Sequence, residues 1–398
     1  MRFVFLSVFI FLFFHVSAGE LLKWADIEPL IEELRFIQIA ESANDESYFS
    51  AKSGSQLPEM DFSVEAGFKE IDNVGKKPHW SVSASQSFLG FMKYSGNTKV
   101  ADSQKNASKA RLIYEKNEMK IFLKEKYNRI AFLLEEKKIA EENSKELTDL
   151  FNVVNEKVKN GIARNSESTR LFVEKEKAID AVSAIESEIK SLSLELHALM
   201  NGKIPASFVT EALSYNQKTF SNPFSVKNHH LILENTYEKK SAVFQKNNSI
   251  FEYIPDFSIG VLYGKEYETS TFAISVGLTL PIWNLSNPSR KSSQALITRL
   301  NFEEVELSQN LLSERKIMIN NLNHLEKRIN RYVEAIVPAS KKSAVESKTL
   351  YLAGEENLSA VIETFVTAQS TLSEYLSLVT MYQNIVDVIN FRFGEENE

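Results

Sequence analysis

The chain has 398 residues, with 13 glycines, 9 prolines, no cysteine and a formal charge of −7. The missing thiol excludes cysteine nucleophiles, disulfide frameworks, cysteine-type zinc sites and lipidation of an N-terminal cysteine. The acidic balance argues against a general nucleic-acid binder, which carries a basic face. No internal apolar run reaches the length of a membrane-spanning helix, so a polytopic helical membrane protein is excluded, and composition alone suggests a soluble, helix-rich protein.

The N-terminus changes the expected compartment. Arg2 precedes an apolar stretch from Phe3 to Phe14, and Val16-Ser17-Ala18 supplies the small residues that a signal peptidase reads. Such a stretch is too short to cross a bilayer, so residues 1–18 are expected to be a signal peptide and the remainder to be exported. With no cysteine at the cleavage site, no lipid anchor is expected there.

Further along, each half of the chain contains an alternating hairpin. Phe62, Val64, Ala66 and Phe68 share one parity from Asp61, and Trp80, Val82 and Ala84 follow after a polar loop that contains Gly75. The second half repeats this with Phe257, Ile259, Val261 and Tyr263, then Phe272, Ile274, Val276, Leu278 and Leu280. Strict alternation is the β signature, and nine or ten residues is also the length of a tilted strand crossing a bilayer. Alternation alone fits a half-buried soluble sheet equally well.

Long helical stretches follow each hairpin. Residues 97–160 contain neither proline nor glycine, enough for a helix of roughly 90 Å. Heptad steps run through Ala178, Val182, Ile185, Ile189, Leu192, Leu196 and Leu199, through Leu322, Leu325, Ile329, Tyr332 and Ile336, and from Leu358 to Ile389. Such persistence predicts coiled-coil packing. Gly161 and Gly354 are expected to stop their helices and turn the chain into a returning helix.

The halves superimpose at a nearly constant offset, which reads as duplication of a whole subdomain. Pro29-Leu30 matches Pro223-Phe224, Leu57-Pro58 matches Ile254-Pro255, Asp61-Phe62 matches Asp256-Phe257, and Gly161 matches Gly354. The expected organisation is a first repeat at 19–202 (hairpin 61–91, helical pair 96–201), a connector at 203–228, and a second repeat at 229–398 (hairpin 255–282, helical pair 290–392). Four strands cannot close a barrel, and a spanning sheet cannot leave its edges unpaired in hydrocarbon. If the strands span, several chains must share one barrel.

Taken in order, these motifs resemble the TolC-like outer-membrane efflux proteins. The resemblance rests on Gly277-Leu278-Thr279-Leu280-Pro281-Ile282-Trp283-Asn284, Tyr351-Leu352-Ala353-Gly354, Ala368-Gln369 and the duplicated pairs above. The Leu-Pro-Ile-Trp-Asn wording leans toward the heavy-metal-efflux branch. The resemblance implies an α plus transmembrane β fold, with a homotrimeric 12-stranded outer-membrane β-barrel, four strands per chain, continuous with a periplasmic α-helical coiled-coil barrel. It also implies a passive exit duct in outer-membrane lipid, served by a periplasmic adaptor and an inner-membrane pump that expels drugs or metal cations.

On that basis the tip residues Gly161, Ile162, Ala163, Arg164 and Asn165, with Gly354, Glu355, Glu356 and Asn357, are the expected adaptor contacts. The acidic entrance positions of the family fall on Ala360 and Glu363 when counted from Gly354. Counted from Ala368-Gln369, the position is Thr367. Glu167 holds the corresponding place in the first half. A ring of Glu363 carboxylates would concentrate cations. Trp80, Phe62, Phe68, Tyr263, Phe272 and Trp283 are the expected aromatics at the membrane interface.

Other chemistry is sparse. His229 and His230 are adjacent and do not share a helix face, so they make a poor metal pair. No phosphate loop, zincin motif or nucleophile elbow is present. No cofactor, metal or enzymatic activity is expected, and no nucleic-acid partner. Type I protein or peptide secretion remains an alternative cargo for the same duct. A soluble coiled-coil protein of the envelope is the alternative from a different class.

Overall fold

The computed structural model describes residues 20–53, 59–71, 75–88, 90–220, 224–266, 268–280 and 288–394. The expected signal peptide, Leu57-Pro58, Pro223 and the Pro281–Asn284 part of the strand-end motif lie outside the described residues.

A four-stranded antiparallel sheet is built from β2 (Asp61–Ile71), β3 (Gly75–Ser87), β5 (Asp256–Glu266) and β6 (Thr269–Thr279), adjacent in that order. Two hairpins thus meet through β3 and β5, with Ser83 opposite Leu262 and His79 opposite Glu266. The strands end at Ser87, earlier than the expected 91. The next helix starts at Gly90, earlier than the expected 96. Packing outweighs the weak helix propensity of Gly90 and Gly96: Asn97 accepts a hydrogen bond from Asn248 at 3.0 Å, and Lys99 lies over the Phe244 ring.

The helices preceding the hairpins are α2 (Arg35–Ser53) and α5 (His230–Asn248). Those following them are α3 (Gly90–Lys159) and α6 (Pro288–Arg331). The 70 residues of α3 make one rod of about 105 Å. Near the hairpins the packing runs α2 on α3, α3 on α5 and α5 on α6, a single layer of four helices. Farther away α3 packs on α4 (Asn165–Leu199) and on α8 (Leu358–Phe393), which in turn packs on α7 (Val337–Ala353).

The second long helix is not one rod. A π-turn at Tyr332–Ile336 separates α6 from α7, and Pro338 follows within the first turn of α7. Proline has no N–H to bond the preceding turn, and the wider turn accommodates that loss. The heptad stripe continues across it: Leu322, Leu325 and Ile329 are buried, and Tyr332 and Ile336 half-buried.

Between sheet and tips lies a waist. Here β1 (Glu20–Leu22) pairs in parallel with β4 (Phe208–Thr210), and α1 (Trp24–Ile27) leads into a buried cluster. Trp24, Ile27, Ile31 and Ile37 pack there on Leu123, Tyr127 and Ile130 of α3 and on Leu196 of α4. Two tyrosines fasten the connector. The Tyr127 hydroxyl donates to the Leu22 carbonyl and accepts the Glu211 N–H, and the buried Tyr382 hydroxyl accepts the Lys218 N–H at 2.7 Å. Arg392 joins three helices through two hydrogen bonds to Glu118 and an ion pair with Glu314.

His229 caps α5 by accepting the Leu231 N–H at 3.3 Å, with its ring packed among Tyr114, Phe224 and Phe393. Burial, reinforced by His230 and Arg392, pushes its pKa down to about 4. The unfolded chain then binds more protons than the folded one between about pH 4 and the ordinary histidine value near 6.5, so this contribution to stability is lost as pH falls through that window. Equilibrium unfolding followed against pH should show an acid-side loss that His229→Asn, which can still accept at the cap, reduces.

Candidate transmembrane wall and helical tips

The two faces of the sheet differ in chemistry. On one, Phe62, Val64 and Phe68 of β2 stand beside Trp80 and Val82 of β3, then Ile259, Val261 and Tyr263 of β5, then Phe272, Ile274, Val276 and Leu278 of β6. These large apolar side chains are exposed in the single chain, Phe68 by 75% and Val276 by 73%. A continuous apolar face of this kind on water would drive association or insertion. The other face is small and hydroxylated: Ser63, Ser81, Ser83, Ser85, Ser258, Gly260, Gly264, Thr271, Ala273 and Ser275, with Leu262 the large apolar exception. Ser63 and Ser83 share a hydrogen bond of 2.7 Å.

Aromatic residues collect at both ends of the apolar face. Trp80 and Tyr263 meet edge-on at 5.7 Å, with Phe272 opposite Tyr263 and Phe68 nearby toward the hairpin end. Toward the helices, Phe88 stacks on Phe257 at 5.3 Å, and Phe62 lies at the same end of β2. Phe257 and Tyr263 are six residues apart on one strand, about 20 Å. Five of the six expected interface aromatics therefore share this face; Trp283 lies outside the described residues. Phe257 was legible as a strand residue, and only its pairing with Phe88 reveals a second aromatic band.

The helices beyond the sheet enclose a cavity between them. A cavity of about 560 Å³ is lined by Asn44 of α2, Gln104 and Arg111 of α3, Glu238 of α5 and Arg299 of α6. With α3 and α5 standing between α2 and α6, only the concave side of an arc can bring all four to one cavity. Ala107, Ala242 and Leu300 share that lining with the polar groups, and burial raises the pKa of both Glu234 and Glu238 within it.

At the far end, both helical hairpins turn in the same way. Gly161 and Gly354 have φ of +72° and +82°. In the first, the Gly161 N–H bonds the Val158 carbonyl and the Ile162 N–H the Lys157 carbonyl; in the second, Gly354 bonds Tyr351 and Glu355 bonds Leu350. These paired bonds are the Schellman arrangement, which satisfies the last helical carbonyls. Arg164 and Asn357 then open the returning helices in extended conformation, Asn357 accepting the Ala360 N–H at 3.0 Å. Ile162 is 73% exposed at the turn.

The two tips are joined. Leu147, Leu150 and Val154 of α3, Leu171 of α4, Tyr351 of α7 and Leu358, Val361 and Ile362 of α8 form one buried cluster. Lys348 pairs with Glu146 and Arg170 donates to Ser359 at 2.7 Å across the two, while Ser347 donates to Glu356 at 2.7 Å within the second tip. The expected entrance residues part company here. Glu167 is half-buried and accepts a hydrogen bond from Tyr351 at 3.3 Å, whereas Glu363 is exposed with no ion pair among the described residues. Burial and the neighbouring Glu167 push the Tyr351 pKa up to about 12. Sequence reading used Tyr351 only as part of a motif and missed this contact, which joins residues 184 apart.

A sheet with one apolar and one hydroxylated face thus runs into a layer of four helices. No family model and no curated protein matches the chain. Solved structures do. The chain is similar to CusC, whose structures concern transmembrane channel formation, at TM-score 0.79 and 13% identity over 93% of this chain and 92% of that one. The outer membrane protein VceC from Vibrio cholerae matches at TM-score 0.76 and 13% identity, over 94% and 97%. The outer membrane channel CmeC of Campylobacter jejuni matches at TM-score 0.78 and 13% identity, over 92% and 84%. The chain thus has the fold of these outer-membrane channels.

Nothing lies within 4 Å of a Cβ placed on Gly161 or Gly354, so Gly→Ala there costs only backbone strain, about 1 kcal/mol each. Tyr351→Phe should likewise cost about 1 kcal/mol for the lost hydrogen bond. Tyr351 favours its protonated form in the folded chain, so its contribution is full below about pH 10 and is lost as pH rises toward 12. Hydrogen exchange at the tips should show this alkaline loosening in the wild type, and Y351F should lack it.

Proposed function

We propose that three copies of the chain close a twelve-stranded barrel in the outer membrane and continue it as a helical tube, forming a passive exit duct. The observation that carries this reading is the four-stranded sheet, apolar on one face and hydroxylated on the other, with β2 and β6 each paired on one side only among the described residues. Unpaired backbone groups in hydrocarbon cost several kcal/mol each, so those edges need strands from further copies. The apolar face then meets lipid and the serine face lines water. A soluble coiled-coil role would leave the apolar face without a purpose.

Efflux follows from the family resemblance, with an adaptor and an inner-membrane pump feeding the tube. The exposed turns at Gly161–Asn165 and Gly354–Asn357 are the docking points in this reading, and Glu363 faces the entrance. Duplication of one unit, 19–202 and 229–398 around a connector, supplies the two hairpins.

The two sheet faces give the decisive test. Val276→Arg should cost about 2–4 kcal/mol near mid-membrane and abolish heat-resistant trimers in outer-membrane fractions. Ser83→Asp should assemble normally and shift planar-bilayer currents toward cations. Equal tolerance at both positions would defeat the reading. At the tips, Ile162→Trp or Gly354→Arg should abolish efflux while trimers persist, and Glu363→Gln should weaken block by multivalent cations. Efflux that survives the tip changes would place docking elsewhere.

A further inference from the structure

The hydroxylated face of the sheet is small nearly everywhere, and apart from Leu262, opposite Ser83, its large side chains at Lys69, Lys77, His79 and Glu266 stand near the hairpin end. Lys69 of β2 and Glu266 of β5 form an ion pair of 2.8 Å that crosses over β3. Between them, on β3, stands His79, opposite Gly67 on one side and Glu266 on the other. His79 carries the aromatic ring of this face, and three copies would bring three imidazoles into one cross-section of the barrel.

The ring does not project freely. It lies against the backbone of β2 in the notch left by Gly67: a Cβ built on Gly67 would be 2.8 Å from His79 Cε1 and 3.6 Å from each ring nitrogen. Glu65 holds the same ring from below, with Oε1 3.7 Å from Nε2. Nδ1 is buried with no hydrogen-bond partner among the described residues, so the shape of the notch, rather than a hydrogen bond, holds the ring in place. A methyl group at 67 would collide with the far end of a side chain and not with backbone. The ring would therefore yield and the strand would stay. Lys69 and Lys77 stand together beyond Gly67 and His79, Glu65 and Ser81 occupy the row below, and Glu266 flanks His79 on the β5 side, so a ring pushed from the notch rises off the sheet.

We propose that Gly67 parks His79 against the wall, and that this pair sets the free bore of the barrel's outer mouth. Gly67 is a positioning residue for a side chain that would otherwise obstruct passage. The proposal rests on the duct reading, which makes the serine face the lining of a water-filled bore.

The absence of cysteine from the chain makes a clean test possible. Ser83→Cys places one thiol on the same face, four residues from His79 along β3 and about 13 Å deeper. Intact cells producing S83C are treated with a bulky, membrane-impermeant maleimide, and labelling rates are compared in S83C, S83C/G67A and S83C/G67A/H79A. The expected result is rapid labelling of S83C, a severalfold slower rate with G67A, and recovery when H79A removes the ring. Trimer content in the outer membrane is measured in parallel. Undiminished labelling in the G67A protein overturns the parking role and leaves the duct reading intact. Slowing that H79A does not relieve assigns the effect to the strand and also overturns it. No labelling of S83C in assembled outer-membrane protein overturns the water-filled face, and with it the duct reading itself.

Discussion

A backbone amide that enters hydrocarbon must already have its partner. The four strands meet that requirement at three interfaces, β2 with β3, β3 with β5 and β5 with β6, and leave two outer edges with none among the described residues. Most of the molecule can be understood from that shortfall. In the proposed duct the alternation of large apolar and small hydroxylated residues serves two coverings, lipid on one face and water on the other. The helices follow closely on the strands, so in the proposed duct the closure that completes the sheet also bends the four-helix layer into a wall.

Much of this was legible in the sequence because it depends on period and punctuation. The hairpins showed as a period of two, and their bounds at Asp61 and Asp256 coincide with the first alternating residues. Gly161 and Gly354 declared the tips because an αL turn after a long helix favours glycine. Two features were not legible. The start of α3 at Gly90 depends on contacts with α5, about 150 residues away, which local propensity does not report. The π-turn at Tyr332–Ile336 left the heptad pattern undisturbed and so gave no signal beyond Pro338.

Pairwise contacts were hidden for a related reason. Tyr351–Glu167 and His79–Gly67 each join positions that the sequence presents separately, one as part of a motif and the other as a lone histidine beside a strand glycine. Register decides the second: a shift of one residue between β2 and β3 would carry the imidazole away from the notch. His229, which the sequence offered only as a poor half of a metal pair, caps a helix inside an aromatic nest, and that role explains its burial.

The tyrosine-fastened waist has a consequence for how the chain reaches its folded state. The hydrogen bonds from Tyr127 to Leu22 and from Lys218 to Tyr382 close loops of 105 and 164 residues. Contacts so distant in sequence repay their entropy only after the intervening segments are ordered. Each helical hairpin can zip locally from its glycine turn, but the belt cannot tighten until α8, near the end of the chain, presents Tyr382. The joined tips share this dependence, since their cross-contacts bind residues 184 and 189 apart.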